Sequence, residues 1–98
     1  MAEVRWTEEA AERLREIFDF IAESSPQAAA ETVTGIYRLA ETLDHFPERG
    51  FTYRTRSGRA VRIVLYGHFR VVYRIEPSAT VIILGVFHGA MDLPRYLP

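Results

Sequence analysis

The chain has 98 residues, of which 48% are hydrophobic and 26% are charged, a composition typical of folded rather than disordered proteins. It contains no cysteine, which excludes disulfides, thiolate-zinc sites and cysteine nucleophiles. No apolar run approaches the roughly 18–20 residues of a membrane helix, and the start of the chain lacks the pattern of a signal peptide. We therefore expect one cytoplasmic domain over residues 1–98, with no membrane partner.

The net charge of −1 conceals an uneven distribution along the chain. Residues 1–48 carry four arginines and eleven acidic side chains, whereas residues 49–98 carry eight arginines and two acidic side chains. This distribution predicts an acidic half and a basic half of the molecule. All twelve basic residues are arginine, which suits bidentate contacts to phosphate or carboxylate, although codon usage in a GC-rich genome explains the absence of lysine equally well.

The first half of the sequence predicts two helices joined by a short turn. Thr7 is a candidate N-cap, and apolar residues then recur at three- and four-residue steps until about Glu23. Ser25 and Pro26 suit the cap and the first position of a second helix. Gly35 within that helix costs about 1 kcal/mol relative to alanine, which we attribute to a close approach of the first helix. The short connection predicts an antiparallel hairpin.

The second half predicts a sheet. After Gly50 the apolar period changes to two, which indicates strands at residues 51–55, 60–66, 69–75 and 80–87. The last of these strands is apolar on both faces, so we expect it to lie centrally in the sheet or to be covered on both sides. The tail that follows is too short and too rich in proline for more than one helical turn.

The turn after Tyr66 decides on which face of the sheet the arginines lie. A two-residue loop would pair Tyr66 with Phe69 and would give two faces of mixed polarity. A three-residue loop would pair Tyr66 with Arg70 and would place Arg62, Arg70 and Arg74 together on one face. We favour the three-residue loop, because it segregates apolar from charged side chains, and predict an arginine-bearing face opposite the helices.

Segments spread over nearly the whole chain match a known pattern. They are residues 4–7 with Ala10 and Leu14, residues 26–29, 43–47 and 67–75, and residues 86–89 with 92–94. The most specific part is the Tyr73–Arg74 pair followed by a hydrophobic strand that ends in His88. In these features the chain resembles the RelE/ParE superfamily of bacterial toxins. It looks closer to the ParE branch, because the tail after Phe87 is poor in basic residues.

The resemblance implies an α+β fold, in which an N-terminal strand and an antiparallel two-helix hairpin pack on one face of a mainly antiparallel β-sheet. It also implies a toxin of a type II toxin–antitoxin module, neutralised by a cognate ParD-like antitoxin in a hetero-oligomer. ParE-like members are thought to poison DNA gyrase, whereas RelE-like members cleave mRNA on the ribosome. We favour the gyrase hypothesis; the alternatives are a ribosome-dependent ribonuclease and a toxin that only binds its antitoxin.

The candidate site residues depend on which hypothesis holds. Cleavage of RNA needs a base, an acid and a cation at the phosphate, for which Arg62, Arg74 and His88 are the candidates. This set offers few groups for acid–base catalysis. We therefore leave enzymatic activity open and favour a toxin that acts by binding over one that cleaves RNA. The candidates for contact with the target or the antitoxin are Arg62, Arg70, Arg74, Arg54, Arg56 and Tyr96. The three histidines are scattered, so we expect no metal and no cofactor.

Apolar residues of the helical hairpin are a second group of candidates for antitoxin contact. Ile17, Ile21, Val33 and Leu39 belong either to the interface or to the core, and the sequence leaves both assignments open. An acidic or amphipathic segment of the antitoxin is expected along the hairpin and the edge of the sheet.

Overall fold

Helices and strands follow the predicted order in the computed structural model, which describes residues 3–98. Met1 and Ala2, which belong to the segment interpreted above as lacking a signal peptide, lie outside the described residues. The elements are β1 (Val4–Trp6), α1 (Glu8–Ala22), α2 (Pro26–Glu41), β2 (Phe51–Arg54), β3 (Ala60–Tyr66), β4 (Phe69–Ile75), β5 (Val81–His88) and α3 (Leu93–Tyr96), with a 3-10 turn at Thr42–Asp44. This arrangement confirms the predicted α+β fold class.

The two long helices begin where their caps predict. The Thr7 hydroxyl accepts a hydrogen bond from the backbone N–H of Ala10 at 3.0 Å, and the Ser25 hydroxyl accepts one from Ala28 at 3.1 Å. Each bond satisfies one of the N–H groups that the first turn of a helix leaves without a partner. Pro26 occupies the first turn of α2, where a missing N–H costs nothing.

The five strands form one sheet in the order β1-β5-β4-β3-β2. β1 runs parallel to β5, and the other neighbours are antiparallel. β5 therefore lies between β1 and β4, which confirms the central place expected for a strand that is apolar on both faces.

The turn between β3 and β4 corrects the predicted register. Tyr66 pairs with Phe69, so the loop has two residues and the three-residue loop is wrong. The first loop residue, Gly67, has a φ of +55°, in the left-handed region that glycine adopts readily. Glycine at the first position is typical of a two-residue turn whose twist matches that of the flanking strands.

The corrected register distributes the arginines over both faces of the sheet. Arg62 lies opposite Tyr73, on the face that the helices cover, whereas Arg70 lies opposite Leu65, on the other face. Arg74 follows Tyr73 in β4 and shares the face of Arg70. The prediction of a single arginine-bearing face is therefore wrong. The two-residue turn sets the register of the hairpin, and this register places polar and apolar side chains on both faces.

Both faces of the sheet carry an apolar core. On the helix side the buried residues are Ala10, Ile36, Ala40, Leu43, Val64, Val71, Tyr73, Val81, Ile83 and Val86. On the opposite side they are Val61, Ile63, Val72, Phe87, Leu93 and Leu97. The tail thus covers the second face with α3, and burial of Leu93 and Leu97 contributes roughly 1.5–3 kcal/mol each.

Gly35 of α2 faces the sheet rather than the first helix. A Cβ atom at this position would lie 1.9 Å from the Tyr66 hydroxyl oxygen and 2.3 Å from the adjoining ring carbon. The close approach that explains this glycine therefore involves β3, and the attribution to the first helix is wrong.

The loop between α2 and β2 is fixed by two side chains of the sheet. The hydroxyl of the fully buried Tyr73 donates to the Pro47 carbonyl at 2.7 Å and accepts from the Gly50 N–H at 2.8 Å. Burial raises the pKa of Tyr73, which keeps the hydroxyl protonated and able to donate. Arg62 Nη1 donates to the carbonyls of Glu48, at 3.2 Å, and Gly50, at 2.7 Å. We call residues 45–50 the anchored loop.

Replacing Tyr73 by phenylalanine tests this anchor. Tyr73→Phe leaves the buried Gly50 N–H without a partner, so we expect it to lower the free energy of unfolding by about 1–3 kcal/mol. Tyr37→Phe is the matched control, because that ring is half exposed, and should change stability by less than about 0.5 kcal/mol. Chemical denaturation of the three proteins measures both differences, and equal midpoints would show that the hydroxyl does not hold the loop.

Candidate functional site

Arg62 and Arg74, the candidate phosphate ligands, project from opposite faces of the sheet. Both nevertheless border one shallow depression at the end of β3 and β4, together with Glu48 and Thr52. The guanidinium of Arg62 is engaged by the backbone of the anchored loop. Arg74 Nη2 lies 3.3 Å from Glu76 Oε2 in a half-exposed ion pair. Each guanidinium therefore already has an acceptor within the chain.

His88 lies at the far end of the same sheet. It pairs with Phe69, whereas Arg62 pairs with Tyr73, four residues along β4. At 3.3 Å per residue this offset corresponds to about 13 Å. The structure therefore does not bring Arg62 and His88 to one reacting phosphate.

The ring of His88 takes part in local packing. Its Nδ1 accepts a hydrogen bond from the Ala90 N–H at 3.1 Å, so this atom already has a proton donor. The ring lies edge-on to Phe69, with centroids 5.4 Å apart, and stacks on His68 at 6.2 Å. Between residues 3 and 98 no group of three or more potential metal ligands occurs.

Arg70 fastens the C-terminal tail. Its Nη2 donates to the carbonyls of His88, at 2.9 Å, and Met91, at 2.7 Å. Its Nε is buried without a hydrogen-bond partner, which carries a desolvation cost. Arg70, predicted from the sequence to contact the target or the antitoxin, thus stabilises the tail of the free chain.

Tyr96 is held by an arginine that the sequence analysis did not single out. The guanidinium carbon of Arg13 lies 4.7 Å from the centroid of the Tyr96 ring and 5.1 Å from that of Phe87. The cation therefore lies against two aromatic rings that are themselves 5.7 Å apart. Arg13 has the helical spacing of a solvent-facing residue, and only the tertiary structure places it against the tail.

The other two predicted contact residues lie near the turn between β2 and β3. Arg54 is exposed, and its Nη1 donates to the Gly58 carbonyl at 2.6 Å. Arg56 is exposed as well. The six contact candidates are thus spread over the sheet, the tail and this turn rather than gathered in one patch.

An apolar groove runs between α1 and the adjoining ends of β4 and β5; we call it the α1 groove. Its lining residues are Arg13, Glu16, Ile17, Phe20, Ile21, Phe69, Val86, His88 and Met91. Phe20 is 76% exposed although it is an aromatic residue. Ile17 and Ile21 line this groove, and Ile17 and Leu39 also pack against the core on the helix side of the sheet. Val33, the fourth of these candidates, is half-buried on α2.

Negative charge dominates the neighbourhood of the α1 groove. Glu8, Glu9, Glu12 and Glu16 line an adjoining depression on α1, together with two arginines. The acidic half predicted from the sequence thus includes the surface of α1. None of the helices between residues 3 and 98 has the length and apolar character to cross a membrane.

Comparison with known proteins identifies the family. Residues 4–93 match the family model described as the ParE toxin of the type II toxin–antitoxin system, parDE. The chain is 34% identical over 94 residues to "Putative toxin Y4kP" of Sinorhizobium fredii, covering 96% of this chain and 95% of that protein.

Solved structures share the fold. A chain of the chromosomal ParDE system from P. aeruginosa superposes with a TM-score of 0.71 at 22% identity, covering 90% of this chain and 96% of that one. A chain of the toxin–antitoxin complex RelBE2 from Mycobacterium tuberculosis superposes with a TM-score of 0.65 at 27% identity, covering 89% and 96%. Together with the match over residues 4–93, these similarities show that the chain belongs to the ParE toxin family of type II toxin–antitoxin systems.

Proposed function

We propose that this toxin acts by binding DNA gyrase and blocking replication, and that it does not cleave RNA. The observation that carries the proposal is the separation of the candidate ribonuclease residues. Arg62 and His88 pair with positions of β4 about 13 Å apart, and general acid–base catalysis needs groups within hydrogen-bond reach of one substrate.

The bonds made by these residues support the same proposal. Arg62 donates to two carbonyls of the anchored loop, and His88 Nδ1 accepts from the backbone. A phosphate would have to displace these internal partners before it could use the side chains. A toxin that acts through protein contacts needs none of these groups to be free.

We further propose that a ParD-like antitoxin places an amphipathic segment in the α1 groove. The two solved neighbours belong to toxin–antitoxin systems, which supports an antitoxin as the partner of this chain. Phe20 is an exposed aromatic residue that lines this apolar groove, and aromatic residues are common interface anchors. Because the adjoining surface of α1 is acidic, a segment with basic flanks fits better than an acidic one.

The gyrase proposal is tested by inducing the toxin in cells that lack the antitoxin. Incorporation of labelled thymidine should fall before that of labelled methionine, because replication is the process blocked first. Purified toxin should also inhibit supercoiling by gyrase, with the toxin–antitoxin complex as the inactive control. An early fall in methionine incorporation, with supercoiling unaffected, would instead favour ribosome-dependent cleavage of mRNA.

The antitoxin groove is tested by placing a charge within it. Phe20→Asp should weaken antitoxin binding at least about thirtyfold, since loss of an interface hot spot costs about 2 kcal/mol or more. Leu65→Asp is the matched control, because Leu65 is an exposed apolar residue on the opposite face of the sheet. Isothermal titration calorimetry compares the affinities. Equal affinities for Phe20→Asp and the native chain would place the antitoxin elsewhere.

A further inference from the structure

We propose that the turn between β2 and β3 binds the phosphate backbone of duplex DNA. Its cations are Arg54, Arg56 and Arg59, and we call residues 54–59 the arginine turn. The inference goes beyond the proposed function, because it concerns a contact with DNA and not the contact with the gyrase protein. DNA binding can be measured without gyrase, so either proposal can fail while the other holds.

The arginine turn holds three exposed cations close together. Arg54, Arg56 and Arg59 are all exposed. The Gly58 N–H donates to the Thr55 carbonyl at 2.9 Å, which defines a β-turn that contains Arg56. The Thr55 N–H in turn donates to the Arg59 carbonyl at 2.8 Å and closes the loop. The three side chains therefore leave the backbone from one compact segment.

The conformation of this segment is fixed by its own contacts. Thr55 is only 4% exposed, and its Oγ1 accepts a hydrogen bond from the Arg59 N–H at 3.0 Å. Gly58 has a φ of +91°, in the left-handed region that glycine adopts readily. Because the backbone is already ordered, a partner that binds the turn loses little affinity to the ordering of the loop.

Backbone carbonyls, and not carboxylates, orient two of the three guanidinium groups. Arg54 Nη1 donates to the Gly58 carbonyl at 2.6 Å, and Arg59 Nη2 donates to the Pro98 carbonyl at 3.3 Å. In the part of the chain that the structure describes, none of the three arginines forms an ion pair. A guanidinium has five N–H donors, so each group keeps its full charge and further donors for a phosphate.

The sequence around the arginine turn is strongly positive. Residues 49–75 contain seven arginines and no aspartate or glutamate. The nearest acidic residue along the chain, Glu48, lines a depression with Arg62 and Arg74, two cations that offset its charge. Clustered positive charge of this kind attracts a polyanion.

The composition of the turn favours a nucleic acid over an acidic protein. Apart from its three arginines, the turn consists of Thr55, Ser57 and Gly58, so it offers no aromatic or aliphatic anchor. The centre of a protein–protein interface is built around such anchors. Interfaces with nucleic acid are instead polar and strongly positive, as this turn is.

The aromatic residues of β2 favour a duplex over a single strand. Proteins that bind single strands stack the bases on aromatic side chains. Tyr53, the aromatic nearest to the turn, packs against the core of the second face. Phe51 begins β2, about 10 Å along the strand from Arg54. Duplex DNA carries about one phosphate charge per 1.7 Å of axis, so several phosphates lie within reach of the three arginines.

The arginine turn lies far from the α1 groove. It precedes Ala60 at one end of β3, whereas Phe69 of the groove pairs with Tyr66 at the other end. Six residues of strand separate Ala60 from Tyr66, which corresponds to about 20 Å. The charge of the turn can therefore be changed without touching the groove proposed for the antitoxin.

The test measures how binding of the purified toxin to a short labelled DNA duplex depends on salt, by fluorescence anisotropy. With three phosphate contacts, the logarithm of the affinity should fall against that of the salt concentration with a slope of about −2.7. Arg56→Gln should reduce the magnitude of the slope by about 0.9 and weaken binding about eightfold at 0.1 M salt. The triple variant Arg54→Gln, Arg56→Gln, Arg59→Gln should lose most of the salt-dependent binding.

Arg38→Gln is the matched control, because Arg38 is an exposed arginine of α2, outside the turn. We expect it to keep the native slope and affinity. Chemical denaturation of each variant verifies the fold. A native slope near zero would overturn the inference, and so would an equal loss of binding in Arg38→Gln.

Two competitors identify the partner. Unlabelled polyglutamate should displace the labelled duplex far less well than unlabelled DNA does; equal displacement would show that the turn recognises an acidic protein and would overturn the inference. Tighter binding to an RNA duplex of the same sequence would overturn the assignment to DNA. Absence of DNA binding leaves the gyrase proposal unaffected, whereas DNA binding by a toxin that does not inhibit gyrase contradicts the gyrase proposal alone.

Discussion

The buried hydroxyl of Tyr73 joins the two halves of this molecule. It donates to one carbonyl and accepts from one N–H of the loop that leaves α2, and so fixes where the chain turns from helix to sheet. The side chain is completely buried, and buried polar groups are costly when unpaired, so these bonds to the loop matter for stability. Arg62 adds two bonds from the neighbouring strand. Together these bonds fix the loop that also carries the exposed Phe46.

Arginines elsewhere in the chain also stabilise segments that lack regular structure. Arg70 binds the carbonyls of His88 and Met91, and Arg13 lies against the rings of Phe87 and Tyr96. The guanidinium group suits this work because it is planar, donates in several directions and packs against aromatic faces. Both guanidinium groups are thus engaged by partners within the chain.

Two of the exposed aromatic residues, Phe20 and Phe46, lie in different surroundings. Phe20 lies in an apolar groove beside the acidic surface of α1, and Phe46 lies on a rigid loop with charges of both signs. A toxin must be recognised both by the antitoxin that restrains it and by its target.

Local patterns in the sequence determined the elements of this fold. Thr7, Ser25 and Pro26 define the starts of the helices, and the change of apolar period after Gly50 defines the strands, because caps and periodicity act within a few residues. The motif around Tyr73 and His88 was sufficient to indicate the toxin family. The register of the β3–β4 hairpin, the partner of Gly35 and the engagement of Arg62 and Arg70 were decided by the tertiary structure. These features depend on contacts between residues that are distant in sequence, and a single sequence carries no local signal for such contacts.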